Sequence, residues 1–339
     1  MRKSGLVTIM MPVLNGELFL PCALDSILAQ EYPFFEVVIL DNQSTDHTQE
    51  ICSAYTQRDK RILYVRDTAS RISHDATNHL ATFITGEFCM VASDDDLWAS
   101  NFLSTLVGYL QANPNVGLAF SNACYVDVEG NRGTQRLLST RHLYAQSDSP
   151  LANVWCYLWQ RRVVPTLFGV YRSEAYLAAL PFDTFDDTIA DVDNLFLIKL
   201  MARTRVHGLD EVLFWYRNKY RGIDPALGVE TSVERGWLAS WWFDTKHQWR
   251  FVRKIDDVLS ESPLARGAKA ALRVRSYYAF VVKITLLRFR SLLGRLLVRL
   301  RLREGAPVKK DVHFKVRSAA LRATGYNPLE RNNARKQAP

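Results

Sequence analysis

Residues 7–48 read VTIMMPVLNGELFLPCALDSILAQEYPFFEVVILDNQSTDHT, and this stretch decides the fold. Val7–Met11 is an apolar run stopped by Pro12, which is how a buried strand reads. Across Glu17–Gln30 the apolar residues recur at 20, 23, 24, 27 and 28, the spacing of one helix face. Val37–Leu40 is a second buried strand, closed by Asp41. Asp46 stands where it can cap the next helix, with Gln49 three residues on as its partner. The alternation continues down the chain. Ile62–Val65, Phe88–Ala92 and Val116–Ser121 read as strands, and His74–Thr85, Asn101–Ala112 and Asp191–Arg203 as helices. Continuous apolar strands alternating with amphipathic helices predict an α/β fold, a mostly parallel sheet with helices on both faces. Such sheets bind ligands beyond the carboxyl ends of their strands. The polar residues collected there are Asn15, Asp41, Asn42 and the cluster at 93–96.

The composition is that of a globular chain: 339 residues, 48% hydrophobic and 23% charged, without a low-complexity tract or internal repeat. The cysteines at 22, 52, 89, 124 and 156 form no C-x-x-C pair and have no histidine cluster beside them, which argues against a zinc site or a disulfide scaffold. They read as buried free thiols of a reducing, cytoplasmic chain. Leu6–Val13 is too short for a signal-peptide core, and no apolar run reaches 18 residues, so neither a leader nor a membrane-spanning helix is expected.

The charge is unevenly placed. Residues 1–264 hold 24 Lys+Arg against 32 Asp+Glu, a balance of −8; residues 265–339 hold 19 against 3, a balance of +16. Within residues 268–303, Ala279, Val282, Leu286, Phe289, Leu293, Leu296 and Leu300 form one apolar stripe flanked by arginines and Lys283. A basic helix of that kind suits an anionic membrane surface, which would make the protein peripheral on the inner face of the cell membrane. The same spacing suits a helix–helix seam, including one in a homodimer. The Arg-rich part lacks interleaved aromatic residues for base stacking, so no nucleic-acid partner is expected. Trp237, Trp241, Trp242 and Trp249 read as packing between the body and the C-terminal helices.

Residues 92–98 read ASDDDLW. Three consecutive aspartates at the end of a buried strand repel one another, and a divalent cation, Mn2+ or Mg2+, would resolve the repulsion. The competing reading is acidic residues at a helix N-terminus, favoured by the dipole. The loop PVLNG after the first strand has neither G-x-G-x-x-G nor G-x-x-x-x-G-K-[ST], which disfavours a dinucleotide-binding turn and a P-loop. Asp41 ends the second strand, where it can accept hydrogen bonds from a base or ribose.

Residues 7–48 resemble the amino-terminal signature of the family 2 glycosyltransferases, which have the GT-A fold and invert the anomeric centre. Pro12, Asn15, Ser26, Leu28, Gln30, Glu36, Asp41, Asn42, Ser44 and Asp46 carry the match. GEFCMVASDDDLW (86–98) resembles the family's metal-binding segment, FGVYRSEAYLAALPFD (168–183) its acceptor-side segment, and ADVDNLFLIKLMA (190–202) the helix start with the catalytic base. The resemblance implies a nucleotide-diphosphate sugar donor and a nucleotide pocket lined by Pro12, Val13 and Asn15. Asp41 and Asn42 would meet the nucleoside, and Asp94 the ribose or diphosphate. Asp95 would be the main metal ligand; the literal D-x-D reading adds Asp96, paired with Asp94. Asp191 would be the general base, and Asp193 a structural helix-start residue. Ser93, Thr77 and Lys219 depart from the family's usual aspartate, arginine and histidine; Lys219 or Arg221 could meet diphosphate charge instead. His74 reads as an unpaired loop histidine. The expected organisation is a GT-A domain at 1–225, a helical extension at 226–310 and a basic, poorly ordered tail at 311–339. The acceptor would be a carbohydrate or a lipid-linked glycan, as in cell-envelope polysaccharide or glycolipid synthesis. Two alternatives stay open: a sugar nucleotidyltransferase, disfavoured by the missing Gly-rich basic loop, and a non-catalytic, membrane-docked nucleotide-sugar binder.

Overall fold

A computed structural model describes residues 2–69, 73–127, 130–136, 149–160, 166–183, 191–217 and 237–279. The first part runs β1 (Lys3–Val13), α1 (Leu20–Leu28), β2 (Phe35–Asp41), α2 (Thr48–Arg58), β3 (Ile62–Arg66), α3 (Ser73–Leu80) and β4 (Gly86–Val91). Then follow β5 (Leu97–Trp98), α4 (Phe102–Ala112), β6 (Val116–Val126), β7 (Arg132–Arg136), α5 (Pro150–Gln160), β8 (Val170–Arg172) and α6 (Ser173–Ala178). The last elements are α7 (Val192–Met201), β9 (Arg205–Arg217), α8 (Trp237–Glu261) and α9 (Arg266–Tyr277).

The strands make one sheet in the order β3-β2-β1-β4-β8-β6-β9-β5, with β7 beside β6. The pairings β1–β2, β1–β4 and β2–β3 are parallel, as the strand–helix alternation predicts. Beyond β4 the sheet is mixed: β8 runs antiparallel between β4 and β6, β9 runs parallel to β6, and β5 pairs antiparallel with β9. Side-chain alternation puts Val7, Ile9, Met11 and Val13 of β1 into one core with α1 and α4. Met10 points the other way, into a second core with residues of α3 and α5 through α9. Both faces are therefore covered, which is why these strands are apolar along their whole length. Gly86 is needed at the start of β4: a Cβ there would meet the Leu6 carbonyl oxygen at 2.3 Å.

Phe251, Ile255, Val258, Leu259 and Leu272 of the C-terminal helices belong to the same core as the sheet's second face. Ala279, the first residue of the apolar stripe, is 2% exposed in that core. At this point the stripe faces protein; its remaining residues and the tail lie outside the described residues. Trp249 is 44% exposed and meets Tyr277 edge-on, so it is a surface residue rather than core packing. The side chains of Trp237, Trp241 and Trp242 lie outside the described residues. Cys22 is exposed, so the expectation of buried thiols does not hold for it. No helix among the described residues is long and apolar enough to cross a membrane.

Candidate active site

Two loops at the carboxyl ends of β1 and β2 are laced together. The helix expected from Glu17 starts only at Leu20, with Pro21 in its first turn. The preceding backbone is spent on cross-loop bonds: Asn15 N–H donates to Ser44 Oγ (2.9 Å), Gly16 N–H to Thr48 Oγ1 (2.8 Å) and Glu17 N–H to Asp46 Oδ2 (3.0 Å). Asn15 sits at φ 54°, a left-handed conformation that asparagine tolerates, and its Oδ1 accepts the Thr45 N–H at 2.9 Å. Asn42 N–H closes the joint on the Val13 carbonyl at 2.9 Å. Pro12, Val13, Asn15, Asp41 and Asn42 are thus gathered as the sequence suggested.

Asp46 does not form the expected capping box. Its Oδ1 accepts both the N–H (3.0 Å) and the hydroxyl of Thr48, while Gln49 turns to Arg66. Burial alone would raise the Asp46 pKa; the bonds from Thr48 and the Glu17 backbone outweigh it and bring it below the usual range. Asp41 is completely buried and held from three sides, by Ser44 N–H (2.8 Å), Tyr64 Oη (2.7 Å) and Arg66 Nη1 (3.5 Å). Burial, then the bond to Asp41, raises the Tyr64 phenol pKa, so it remains a donor.

The three-aspartate loop follows β4. Asp94, Asp95 and Asp96 are 9%, 6% and 0% exposed. Asp94 lies on the β1 loop: a Cβ added to Gly16 would meet its Oδ2 at 2.9 Å, which is why that position is glycine. Asp95 Oδ1 accepts the Ser93 hydroxyl. Asp96 Oδ1 accepts the Arg217 N–H at 2.7 Å, and that carboxylate is an anchor of the loop. Arg217 was not singled out in the sequence, although it ends the apolar run LFWYR of β9. Its side chain is buried, donates from Nε to the Asp95 carbonyl (2.8 Å) and from Nη1 to the Asp127 carbonyl, and lies 4.4 Å from the Phe19 ring. Lys219 and Arg221 lie outside the described residues.

Among the described residues, no three His, Cys, Asp or Glu side chains converge as a metal cage. A cation that takes one or two carboxylates and completes its shell with phosphate oxygens needs none. Buried Asp94 and Asp95, consecutive in the chain and with Asp94 against Gly16, are the carboxylates that would serve such a cation.

Asp191 stands on another element, at the N-cap of α7, with φ 64°. Its Oδ1 accepts Asn194 Nδ2 at 2.7 Å. Two residues on, Asp193 lies 3.6 Å from His74 of α3, so His74 is a buried partner rather than a loop histidine. The segment before α7 is also tied to α3, because Asn78 both donates to the Phe182 carbonyl (3.1 Å) and accepts the Phe182 N–H (2.8 Å).

This arrangement of sheet and strand-end loops is that of GT-A proteins, and solved structures share it. Staphylococcus aureus TarS 1-349 in complex with UDP-GlcNAc superposes with a TM-score of 0.59 at 18% identity, covering 81% of this chain and 73% of that one. The mannosyltransferase PcManGT from Pyrobaculum calidifontis, in complex with GDP-Man and Mn2+, does so at 0.54 and 19%, covering 96% and 81%. In sequence, the model of Glycosyl transferase family 2 matches residues 8–167. A PGL/p-HBAD biosynthesis glycosyltransferase of Mycobacterium tuberculosis is 31% identical over 252 residues, 68% of this chain and 97% of that protein. This chain belongs to glycosyltransferase family 2. The Streptococcus pneumoniae glycosyltransferases GlyA and GlyG match at 33% and 28%, and the chain spans only 14% and 36% of their lengths.

Proposed function

We propose that this chain is an inverting glycosyltransferase that moves a sugar from a nucleotide-diphosphate donor to an acceptor hydroxyl. The observation that carries the reading is the joint between the β1 and β2 loops with Asp94 seated on Gly16. It makes a rigid, acceptor-rich cradle at the strand ends, where α/β sheets bind ligands. Asp41, completely buried and held by Ser44, Tyr64 and Arg66, fixes the floor on which the nucleoside would rest. Pro12, Val13, Asn15 and Asn42 line the same pocket, and Asp94 meets the ribose or diphosphate.

Asp95 is the residue to hold Mn2+ or Mg2+. Asp94 is a better second ligand than Asp96, whose Oδ1 already serves Arg217. Held there, a bound cation would supply positive charge against the diphosphate leaving group. Asp191 takes the proton of the acceptor hydroxyl, and attack from the opposite face inverts the anomeric carbon. The acceptor class that fits the basic C-terminal sequence is a lipid-linked or cell-envelope glycan, met at an anionic membrane surface.

Hydrolysis of a panel of UDP- and GDP-sugars with Mn2+ tests the proposal. Asp191→Asn should keep donor binding and lose about 10²–10⁴-fold in turnover. Normal turnover by that variant would remove Asp191 from the role, and binding without any turnover in the wild type would favour the non-catalytic binder.

A further inference from the structure

The sequence motif accounts for Asp191 but not for the two polar groups packed behind it. Asn194 is 8% exposed and Tyr157 is 1% exposed, on α7 and α5 respectively. Tyr157 Oη donates to Asn194 Oδ1 at 2.7 Å, and Asn194 Nδ2 donates to Asp191 Oδ1 at 2.7 Å. The order of donors is forced at the carboxylate end, because an ionised carboxylate only accepts. The carboxylate determines which way the amide faces: the amide presents N–H to Asp191, and its oxygen, turned the other way, accepts the Tyr157 hydroxyl. Reversing the amide would set its oxygen against the carboxylate.

Asp191 also has a left-handed backbone, φ 64°, a conformation that an aspartate holds only where its surroundings support it. The Asn194 bond ties side chain and backbone into one short loop of helix start, from the N-cap to the third helical residue. We infer that Tyr157 and Asn194 are positioning residues: they form a two-step relay that fixes the direction of the Asp191 carboxylate toward the acceptor. The inference rests on Asp191 being the base. Neither residue touches substrate; both act through Asp191.

The test combines geometry and coupling. Tyr157→Phe removes only a hydroxyl, and Tyr157→Phe with Asn194→Leu replaces both partners by apolar groups of similar size, which limits the folding penalty. Crystal structures of the wild type and the double variant should show the carboxylate bonded to Asn194 in the first and turned away, or capping α7, in the second. An unmoved carboxylate overturns the inference, whatever the substrate. Turnover is read as hydrolysis of UDP-GlcNAc, UDP-glucose and GDP-mannose with Mn2+. The double variant should lose on the order of 100-fold in kcat, as a misplaced catalytic group does, with donor KM unchanged. Placed on Asp191→Asn, the same pair should change kcat by no more than about twofold, because groups acting as a unit are not additive. A full further loss on that background means a general structural role and sinks the relay. Full activity in Asp191→Asn itself would instead sink the base assignment, so the two failures are distinct.

Discussion

Arg217→Met is the most informative single perturbation of the aspartate loop. The Arg217 backbone N–H to Asp96 survives the change, so only the side chain is tested. Methionine fills much of the same space without donors. The loss leaves the Asp95 and Asp127 carbonyls without the guanidinium bonds they now accept. The Asp95 carbonyl is the buried one of the two, and losing its donor costs about 1–3 kcal/mol, whereas the Asp127 carbonyl keeps the Gly130 N–H at 3.2 Å. The contact over Phe19 adds about 0.5–2 kcal/mol. Against this, a buried guanidinium is itself desolvated, and its removal returns part of that cost. The lost bonds win, because the buried Asp95 acceptor stays behind when the charge leaves, and the net loss should be about 1–3 kcal/mol. At roughly 2–4 °C per kcal/mol for a domain of this size, Tm should fall by about 3–12 °C. Arg217→Lys should lie between, since an ammonium cannot present the same fork to two carbonyls. Thermal unfolding of the three proteins decides the matter. A Tm for Arg217→Met within about 2 °C of the wild type would refute the claim that this side chain holds the loop.

Three further outcomes follow from local geometry. Gly16→Ala drives a Cβ to 2.9 Å from Asp94 Oδ2 and Val13 Cγ1, so it should weaken donor binding and cost about 1–3 kcal/mol in thermal unfolding; unchanged donor affinity would separate Asp94 from the pocket. The Glu17–His47 pair (2.7 Å) raises the His47 pKa above 6.5 and lowers that of Glu17 below 4.5, in each case chiefly through their hydrogen bond. The His47 contribution is full below 6.5 and lost as pH rises through its folded pKa; that of Glu17 is present above 4.5 and lost as pH falls through its folded pKa. His47→Ala should therefore lower Tm most between those two values, and a pH-independent difference would contradict the pairing. Burial pushes the Cys52 and Cys89 thiols up to about 12, so in native protein near neutral pH a thiol reagent should modify exposed Cys22 and reach these two only after denaturation.

The half of the fold nearest the site was the most legible. In β1, α1 and β2 the apolar period is a local signal and the elements form on it, although β1 continues through Pro12, paired with Leu40, to Val13. The start of α1 was misplaced because Asn15, Gly16 and Glu17 donate across to the β2 loop, a long-range choice that helical spacing does not encode. The antiparallel insertion of β8 and the pairing of β5 with β9 were not legible, since a three-residue and a two-residue strand carry no period. At the site, the aspartates at 41, 94–96 and 191 stood out as carboxylates at element ends. Their partners did not. Arg217, His74 and Tyr157 owe their roles to neighbours 121, 119 and 37 residues away, with Asp96, Asp193 and Asn194. A charged residue closing an apolar strand, as Arg217 does, was the one available hint.

Calorimetric titration of nucleoside-diphosphate sugars, with and without Mn2+, into the wild type and Asp95→Ala tests the central claim most directly. Selective binding of sugars on one nucleobase, strengthened by Mn2+ in the wild type and made indifferent to it by Asp95→Ala, is the predicted result. Equal affinity in both proteins, with and without the cation, would contradict it.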